Sequence, residues 1–392
     1  MSATSKDVAR LAGVAQSTVS YVLNSRRPVS ADTRRRVEDA IRELGFQPHA
    51  GARALVSRRT RVIGLVVPFG TAGDPAGLIP FLDTITTCAR ERDHDVLLVT
   101  ADEGAEGLRR LAGRALCDAV VLMGIEADDE RIPVAAALPV PVVTIGVPDV
   151  PSELHYVDLD FSMAGRLAVE ELAACGLRRV VLLGHAESEV ARGLNYVARF
   201  ARGAERAAAV AGLDFRSVSP LEPEHGPVTE EVRRQLADAE GPVGFVVAGH
   251  RALPHVLAAL RALGRVPGED AAVVALCTDE RAVAEPSEPS NVSTEPREVS
   301  RRAMDLLFRL LDQEGAGASS TVELVAPRLT RRATTTVPDI NTTVTTVTST
   351  APDTTATTAV PHANTTVTSA VPDTNTPGTS PTPGHTVTSS SP

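Results

Sequence analysis

Hydrogen-bonding side chains are concentrated in one short stretch near the N-terminus, QSTVSYVLN, which runs from Gln16 to Asn24. If this stretch is helical, Val19, Val22 and Leu23 form an apolar face and the polar side chains lie opposite. Amide and hydroxyl groups of this kind pair with base edges and phosphates in the major groove of DNA. The polar side chains are Gln16, Ser17, Thr18, Ser20 and Tyr21. The stretch therefore predicts a DNA-reading helix.

A helix ahead of the reading helix must brace it, and the first residues of the chain supply one. Thr4 and Asp7 have the spacing of a capping box, which satisfies the first backbone N–H groups of a helix. Gly13 predicts a tight turn at the end of that helix, because glycine adopts positive φ at little cost. The expected apolar stripe consists of Val8, Leu11 and Ala12. The two helices together predict a helix-turn-helix motif.

A third helix is expected after Ser30, which is a favourable N-cap residue, and Gly45 and Pro48 mark its end. Its inward side chains are Val37, Ile41 and Leu44. Three short helices with apolar faces are enough for a small all-α head.

Charge separates this head from the rest of the chain. Residues 1–61 carry 12 Lys or Arg against 5 Asp or Glu, whereas the whole chain has 39 against 49 and a net charge of −10. A basic head on an acidic body directs the head to DNA. Binding should weaken strongly with salt, because each phosphate contact releases counterions.

Three strings place this head in a known pattern: DVARLAGV, STVSYVLN and VSADTRRRVEDAIRELGFQPHAGARAL. In this order they resemble the N-terminal part of the LacI/GalR family of bacterial transcription repressors. The match is nearly gapless over about the first 60 residues and looser to about residue 335. The resemblance implies base readout by Gln16, Ser17 and Tyr21, although each could instead contact only phosphate. It implies phosphate or backbone contacts by Thr4, Lys6, Thr18, Ser20, Asn24, Arg34 and Arg53.

The segment from Pro48 to Val56 resembles the family's hinge helix. The family wedges a leucine into the minor groove, and Leu55, with Ala52 beside it, occupies that position. Arg58, Arg59 and Arg61 follow the segment and are suited to phosphate contacts. The alternative is an ordinary linker with basic residues. Gly51 departs from the pattern, and an interior glycine costs about 0.5–1 kcal/mol of helix stability. Ala15 also departs, because the family usually has a serine that caps the reading helix there, worth about 1 kcal/mol.

From residue 62 the pattern changes to alternating strands and helices. The predicted strands are VIGLVV, DVLLVT, DAVVLM, PVVTIG, RVVLLG, GFVVAG and AAVVAL. The predicted helices are Leu78–Arg92, Leu108–Leu116, Ser162–Cys175, Val190–Ala211, Thr229–Ala239, His255–Leu263 and Arg297–Leu311. Two consecutive series of this kind predict an α/β fold with two doubly wound parallel-sheet lobes. The resemblance implies a periplasmic-binding-protein-like architecture that ends near the run VELVAPRLTRRATT.

The resemblance also implies a small effector in the cleft between the lobes. Sugar-binding members commonly carry an Asn-Asp pair where this chain has Gly249 and His250, and a Gly-x-Asp at residues 275–277, which are Ala, Leu and Cys here. If Gly203 and Ala204 correspond to the family's Gly-Phe pair, the arginine that precedes this pair in the family falls on Phe200, which Arg199 and Arg202 flank. Unmatched sugar hydroxyls are penalised on burial, so the effector is not expected to be an ordinary sugar. The remaining candidates, Phe81, Asp160, Arg199, Arg202 and His250, suit an anionic or planar ligand. The alternative is a cleft that binds nothing.

Neither an enzyme, a metal centre nor a cofactor is predicted. The loop FGTAGDPAG fits neither of the two phosphate-binding glycine patterns, and no catalytic triad spacing is found. The four cysteines lie far apart and read as reduced core residues: Cys88, Cys117, Cys175 and Cys277. No secretion signal or membrane-spanning run is found, so a cytoplasmic protein is expected.

The C-terminal segment is a Thr-, Pro- and Ser-rich tail in which VPDINTTVT recurs as VPHANTTVT. Such composition predicts disorder. The expected division is a DNA-binding head (1–47), a hinge (48–60), an effector-binding and dimerisation body (61–333) and the tail (334–392). The tail lacks an apolar heptad helix, so a homodimer on a palindromic operator is the expected assembly. The runner-up is a ligand-sensing binding protein whose head has lost its operator.

Overall fold

The structure is a computed structural model, and it describes residues 3–24, 29–46, 59–69, 75–249, 251–312 and 320–335. Several predicted features lie outside these residues. They are the hinge with Ala52, Arg53 and Leu55, the glycine-containing loop at 70–74, His250, and the tail beyond residue 335.

Three helices form the head: α1 (Ser5–Ala12), α2 (Gln16–Asn24) and α3 (Ala31–Leu44). Thr4 and Asp7 form the predicted capping box, and Gly13 ends α1 in the left-handed region at φ 65°. Ser30 caps α3 by accepting a hydrogen bond from the backbone N–H of Thr33. These boundaries agree with the prediction because caps are set by local backbone chemistry.

The head has its own small core, which includes Val8, Val19, Val22 and Val37. The predicted stripe of α1 was wrong at Leu11, whose side chain is 45% exposed, whereas Ala9 is buried. Helical spacing places both residues near the edge of the stripe. The smaller Ala9 faces the other two helices, and Leu11 is left at the surface.

The first lobe is built on a six-stranded parallel sheet. Its strands are β1 (Val62–Val67), β2 (Asp95–Thr100), β3 (Ala119–Met123), β4 (Val142–Ile145), β5 (His155–Leu159) and β11 (Val322–Val325). They lie in the order β11-β5-β4-β3-β1-β2. Its helices are α4 (Pro75–Glu91), α5 (Gly104–Gly113), α6 (Arg131–Ala136) and α13 (Pro296–Asp312). Alternate side chains of each strand face opposite layers: Ile63 and Leu65 pack on one side and Val66 on the other.

The second lobe repeats this plan. Its strands are β6 (Arg179–Leu183), β7 (Asp214–Val218), β8 (Val243–Val247), β9 (Ala271–Leu276), β10 (Ser290–Ser293) and β12 (Arg328–Thr330). They lie in the order β12-β10-β9-β8-β6-β7, and only the β10–β12 pair is antiparallel among the described strands. Its helices are α7 (Phe161–Ala174), α8 (Glu187–Ala191), α9 (Asn195–Ala211), α10 (His225–Ala237), α11 (Leu253–Ala262) and α12 (Asp279–Val283). The predicted fold class is therefore confirmed.

Three differences from the prediction affect the site. The helix predicted from Val190 to Ala211 is two helices, α8 and α9, separated at Gly193, whose φ is 66°. Strand β5, which holds His155 and Asp158 among its buried residues, was not predicted because polar residues interrupt its apolar pattern. The predicted tail begins too early, because Thr334 and Thr335 are buried in the second lobe.

The chain crosses between the lobes three times: from β5 to α7, from β10 to α13, and from β11 to β12. The cysteines are free, and Cys117 and Cys277 are buried, in keeping with the predicted reduced core residues. Among the described helices, none is both long and apolar enough to span a membrane.

Candidate nucleic-acid interface and ligand cleft

The outward face of α2 presents the predicted base-reading residues. Gln16 and Ser17 are exposed, and Tyr21 is half-buried. The side-chain amide of Gln16 donates from Nε2 to Ser5 Oγ at 2.8 Å, which fixes its orientation against the start of α1. Its amide oxygen can still accept a further hydrogen bond. The reading residue is thus pre-oriented by the bracing helix.

The start of α2 lacks a side-chain cap, as the departure at Ala15 predicts. The backbone N–H groups of Thr18 and Val19 donate to the Ala15 carbonyl at 2.9 and 3.3 Å. Thr4, predicted to contact the DNA backbone, uses its hydroxyl within the capping box, where it donates to Asp7 Oδ2 at 2.7 Å. These hydrogen bonds hold the pKa of the Asp7 carboxyl below its usual range. Thr4 therefore positions α1.

The basic residues of the head divide into two groups. Within the described part of the chain, Lys6, Arg34 and Arg35 form no ion pair, and Lys6 and Arg35 are exposed. Arg10 pairs with Asp7 at 2.7 Å, and Arg36 donates to the Ala12 carbonyl at 3.3 Å. The first group keeps its charge available for phosphates.

Two arginines expected to contact phosphates are instead bound to the first lobe. Arg59 donates from Nη2 to the Leu311 carbonyl at 3.3 Å, and Arg61 pairs with Asp93 at 3.2 Å. Of the other predicted backbone contacts, Thr18 and Ser20 are half-buried on α2. The Asn24 side chain and Arg53 lie outside the described residues.

A cavity of about 230 Å³ lies between the two lobes, at the carboxyl ends of the parallel strands. This is where open α/β sheets bind ligands. Its walls are mainly apolar, and the larger apolar members are Leu78, Phe81, Met123, Ile125, Ile145, Leu159, Phe161, Leu194 and Leu276. Its polar side chains are Asp158, His185, Glu189, Arg192, Tyr196 and Thr294.

Aromatic rings cluster on the second-lobe side of the cavity. The rings of Phe161 and Tyr196 have centroids 5.1 Å apart, and His185 meets Tyr196 edge-on at 5.5 Å. Phe161 begins α7, Tyr196 lies in the first turn of α9, and His185 follows β6. Close packing of α7 on α9 thus brings the aromatic rings of Phe161 and Tyr196 together.

Asp158 and Arg199 form a buried ion pair at the cavity wall. Arg199 Nη1 donates to Asp158 Oδ2 at 2.6 Å, and Arg199 Nη2 donates to the Leu159 carbonyl at 3.2 Å. Burial raises the pKa of Asp158 to about 6, although Arg199 opposes this shift. The positive charge of Arg199 is therefore committed to β5.

Glu189 and Arg192 bring opposite charges to the cavity from the α8–α9 region. The Tyr196 hydroxyl donates to Glu189 Oε1 at 3.4 Å, and the Ala186 backbone N–H donates to Glu189 Oε2 at 3.4 Å. Burial is the main cause that raises the pKa of Tyr196, and the Glu189 charge adds to it. Arg192 pairs with Glu126 of the first lobe at 3.6 Å.

Hydrogen bonds join the lobes beside the cavity. The Ala127 backbone N–H donates to the Gly193 carbonyl at 2.8 Å, and Asn195 N–H donates to the Ile125 carbonyl at 3.2 Å. The Asn195 amide also donates to the Val147 carbonyl at 2.6 Å. Because Ile125 and Val147 line the cavity, these bonds fix its wall to the second lobe.

The structure brings only part of the predicted effector set to the cavity. Phe81 lines it, and Arg199 lies behind Asp158. Asp160 caps α7 by accepting from the Met163 N–H at 2.9 Å. Arg202 is about half exposed and lies 3.9 Å from Asp149.

The departures from the sugar-binding pattern have structural counterparts. A Cβ at Gly249 would lie 3.0 Å from the Gly184 carbonyl oxygen, so an asparagine side chain there requires backbone movement. Leu276 places an apolar side chain on the cavity wall. Cys277 is buried, and burial raises the pKa of its thiol to about 12.

Sequence reasoning missed Asp158, Phe161, His185, Glu189 and Tyr196. One of them carried a usable signal, since His185 lies two residues after the predicted strand β6, whereas Asp158 lies in β5, which was not predicted. Polar residues at such positions in a doubly wound fold face the ligand crevice. The positions of the other three depend on the break between α8 and α9 and on the crossing of α7 with α9.

The head and the two lobes define a class of protein: a DNA-binding helix-turn-helix unit joined to a two-lobed ligand-binding architecture. The family model for bacterial regulatory proteins of the lacI family matches residues 4–49. The model for the periplasmic binding protein-like domain matches residues 169–335.

Curated relatives agree with these matches. The HTH-type transcriptional regulator CelR of Thermobifida fusca is 34% identical over 336 residues, which are 81% of this chain and 94% of CelR. Catabolite control protein A of Priestia megaterium is 27% identical over 253 residues, 63% of this chain and 74% of that protein. The chain therefore belongs to the LacI family of DNA-binding transcriptional regulators.

Solved structures share the fold. The complex of the transcriptional regulator CelR with cellobiose has a TM-score of 0.57 at 26% identity and covers 85% of this chain and 99% of that one. The lac repressor dimer bound to operator and the anti-inducer ONPF has a TM-score of 0.71 at 22% identity and covers 86% and 100%.

Proposed function

We propose that this regulator is a repressor that binds a palindromic operator as a homodimer, with its affinity modulated by a small effector in the cleft. The observation that carries the proposal is the pre-oriented polar face of α2 within a head that the lacI family model matches. In this proposal residues 1–47 read the operator, 48–60 form the hinge, 61–333 bind effector and dimerise, and 334–392 form the tail. Its place of action is the cytoplasm, where bacterial DNA lies.

Symmetry supports the dimer. Two copies of the head, related by a two-fold axis, match the two inverted half-sites of a palindromic operator. A dimer that contacts both half-sites binds more tightly than a single head on one half-site. The lac repressor structure is that of a dimer on its operator, and it shares the fold of this chain. Gln16, Ser17 and Tyr21 are proposed to read bases, and Leu55 with Ala52 to occupy the minor groove.

The effector proposed here is not an ordinary sugar. CelR, which shares the family, is seen with cellobiose. Here Cys277 stands where the sugar-binding pattern has an aspartate, and its neighbour Leu276 lines the cavity. A Cβ at Gly249 would lie only 3.0 Å from the Gly184 carbonyl oxygen, which disfavours an asparagine there. Because an unmatched hydroxyl costs about 1–3 kcal/mol on burial, a mainly apolar wall disfavours a polyol.

Selection from random duplexes, followed by sequencing, tests the DNA-reading proposal with the full chain. The expected result is a palindromic site. Gln16→Ala should relax base preference at one position in each half-site. Ser5→Ala is the matched control: it removes the anchor of Gln16 without removing the reading group, so the preference should persist at lower affinity. Leu55→Ala should weaken binding to all sites.

Titrations at several salt concentrations complete the test. The dissociation constant should rise steeply with salt, because Lys6, Arg34 and Arg35 displace counterions. Binding without base preference, or without salt dependence, would contradict the proposal. If Gln16→Ala and the parent chain had the same sequence preference, Gln16 would not be one of the residues that read bases.

A further inference from the structure

Two ion pairs at the cavity wall join the lobes to each other. Asp158, on β5 of the first lobe, accepts a hydrogen bond from Arg199, on α9 of the second lobe, at 2.6 Å. Arg192, between α8 and α9, pairs with Glu126 of the first lobe at 3.6 Å. A ligand charge that displaced Arg199 from Asp158 would leave a buried charge without its partner, which is strongly unfavourable. These four charges therefore serve the contact between the lobes.

The other ionisable groups on the wall have partners within the second lobe. Glu189 accepts from the Ala186 backbone N–H and from the Tyr196 hydroxyl, each at 3.4 Å. The ring of His185 meets that of Tyr196 edge-on, with centroids 5.5 Å apart. Neither Glu189 nor His185 is without a partner. On the described part of the wall, a charged ligand thus finds no ionic side chain that is unpartnered.

The apolar part of the wall comes from both lobes. Phe81 and Met123 belong to the first lobe, whereas Phe161 and Leu276 belong to the second. A ligand that fills the space between them removes apolar surface of both lobes from water, which is favourable in proportion to the area buried.

The volume of the cavity sets the size of such a ligand. A cavity of about 150 Å³ lined by Leu, Ile and Phe stays dry and binds benzene. The cavity here has about 230 Å³, enough for a ring with a short chain or for two fused rings. Thr294, directly after β10, also brings to the wall a hydroxyl that can donate to or accept from one polar atom. A sugar has several hydroxyls, and each would need a partner of its own.

We propose that the effector is an uncharged, mainly apolar ring compound that contacts Phe81 of the first lobe and Phe161 and Leu276 of the second. The inference rests on the proposed function, in which the cleft holds an effector. It keeps the planar ligand expected from the sequence and replaces the anionic one, because the arginines assigned to an anion pair with carboxylates of the first lobe.

Three probes of one shape separate charge from bulk: 2-phenylethanol, 2-phenylethylamine and 3-phenylpropionate share a phenyl ring on a two-carbon spacer. Calorimetry and thermal shift at neutral pH use the full chain, with cellobiose as a fourth probe. The alcohol should bind at least about tenfold more tightly than the amine or the acid, because each of these must bring a charge out of water. Cellobiose should bind more weakly than the alcohol.

Phe81→Ala removes a ring from the first-lobe side of the wall. It should weaken binding of 2-phenylethanol by about 10- to 100-fold, the range that corresponds to the burial of one phenyl side chain. Ile79→Ala is the matched control, because Ile79 lies on the same helix, is 61% exposed and is outside the cavity wall. It should bind the alcohol like the parent chain. Melting temperatures without ligand report whether both variants are folded, and the probe series on the parent chain depends on neither.

Several results would overturn the inference. They are binding of the amine, the acid or cellobiose that equals or exceeds binding of the alcohol, equal alcohol binding by folded Phe81→Ala and the parent chain, and no binding of any phenyl probe. Operator selection uses no ligand and is independent of these measurements. Loss of operator binding with retained binding of 2-phenylethanol would overturn the proposed function alone.

Discussion

Replacement of Gly203 by alanine tests how the two helices behind the ring cluster are packed. A Cβ at this position would lie 2.1 Å from the Ser162 carbonyl oxygen, and one at Gly165 would lie 2.2 Å from the Phe200 carbonyl oxygen. Both neighbours are backbone atoms of the facing helix, so no side chain can rotate away. Because real Cβ contacts essentially never fall below 3.0 Å, helices α7 and α9 must separate by about 1 Å.

The cost follows from this separation. Overpacking a core costs about 1–3 kcal/mol, and a rigid backbone neighbour places this site at the upper end. Alanine in place of glycine within a helix stabilises the helix by about 0.5–1 kcal/mol, which partly offsets this cost. We therefore expect Gly203→Ala to lower the free energy of unfolding by about 2 kcal/mol. It should also weaken binding to the cleft, because Phe161 and Tyr196 lie in the first turns of the two helices that move apart.

Urea denaturation followed by circular dichroism measures the change, and midpoints are compared because two lobes need not unfold together. Gly226→Ala is the matched control: Gly226 is also helical, and a Cβ there meets nothing within 4 Å. That variant should be neutral or slightly stabilised. Equal midpoints for Gly203→Ala and the parent chain would refute the packing argument.

Three further changes test the ion pairs and the head. Asp158→Asn removes a carboxyl whose pKa is raised to about 6, so the native state takes up its proton more readily than the unfolded chain. As pH rises from about 4 to 7, the free energy of unfolding of the parent chain should therefore fall by up to about 3 kcal/mol relative to that of the variant. Denaturation at each pH measures this difference. A difference that does not change with pH would contradict the raised pKa of Asp158. Arg131→Met removes the ion-pair partner of the buried carboxylate of Asp129, which lies 2.5 Å from the Arg131 guanidinium. It should lower the free energy of unfolding by about 3–5 kcal/mol in the same assay. A decrease below about 1 kcal/mol would argue that this ion pair does not stabilise the fold. Ser30→Ala should cost about 1 kcal/mol, seen as faster amide exchange in α3, and unchanged exchange would exclude a capping role.

Local chemistry made the head predictable. Thr4, Gly13 and Ser30 act on backbone groups within a few residues, so their roles are visible in the sequence. Leu11 and Ala9 were assigned wrongly because packing against the other helices decides which edge of a stripe is buried.

The body was predictable where strands are wholly apolar. All seven predicted strands are present, because short runs rich in valine and isoleucine, such as VIGLVV, are typical of strands in parallel sheets. Strand β7, whose sequence is DFRSV, lies at a sheet edge, where polar side chains are tolerated, and its pattern gave no signal.

The cleft was the least predictable region. Phe81 was found through the family resemblance, and it lines the cavity. Asp158 was missed together with its strand, and Arg199 was assigned to the ligand although it binds Asp158. Ion pairing between residues 41 positions apart depends on tertiary packing, which no local pattern encodes.

The last crossing between the lobes has a consequence for how the protein is made. Strand β11 completes an edge of the first sheet, and β12 completes an edge of the second, with only two residues between them. Both lobes therefore stay one strand short until the ribosome has released the region around residues 322–330. Domains usually fold in the order in which they are synthesised. Here the first lobe can complete its sheet only shortly before the second lobe does. A ribosome stalled before this point would present two open sheet edges at once, so premature termination should yield aggregation-prone chains with neither lobe complete.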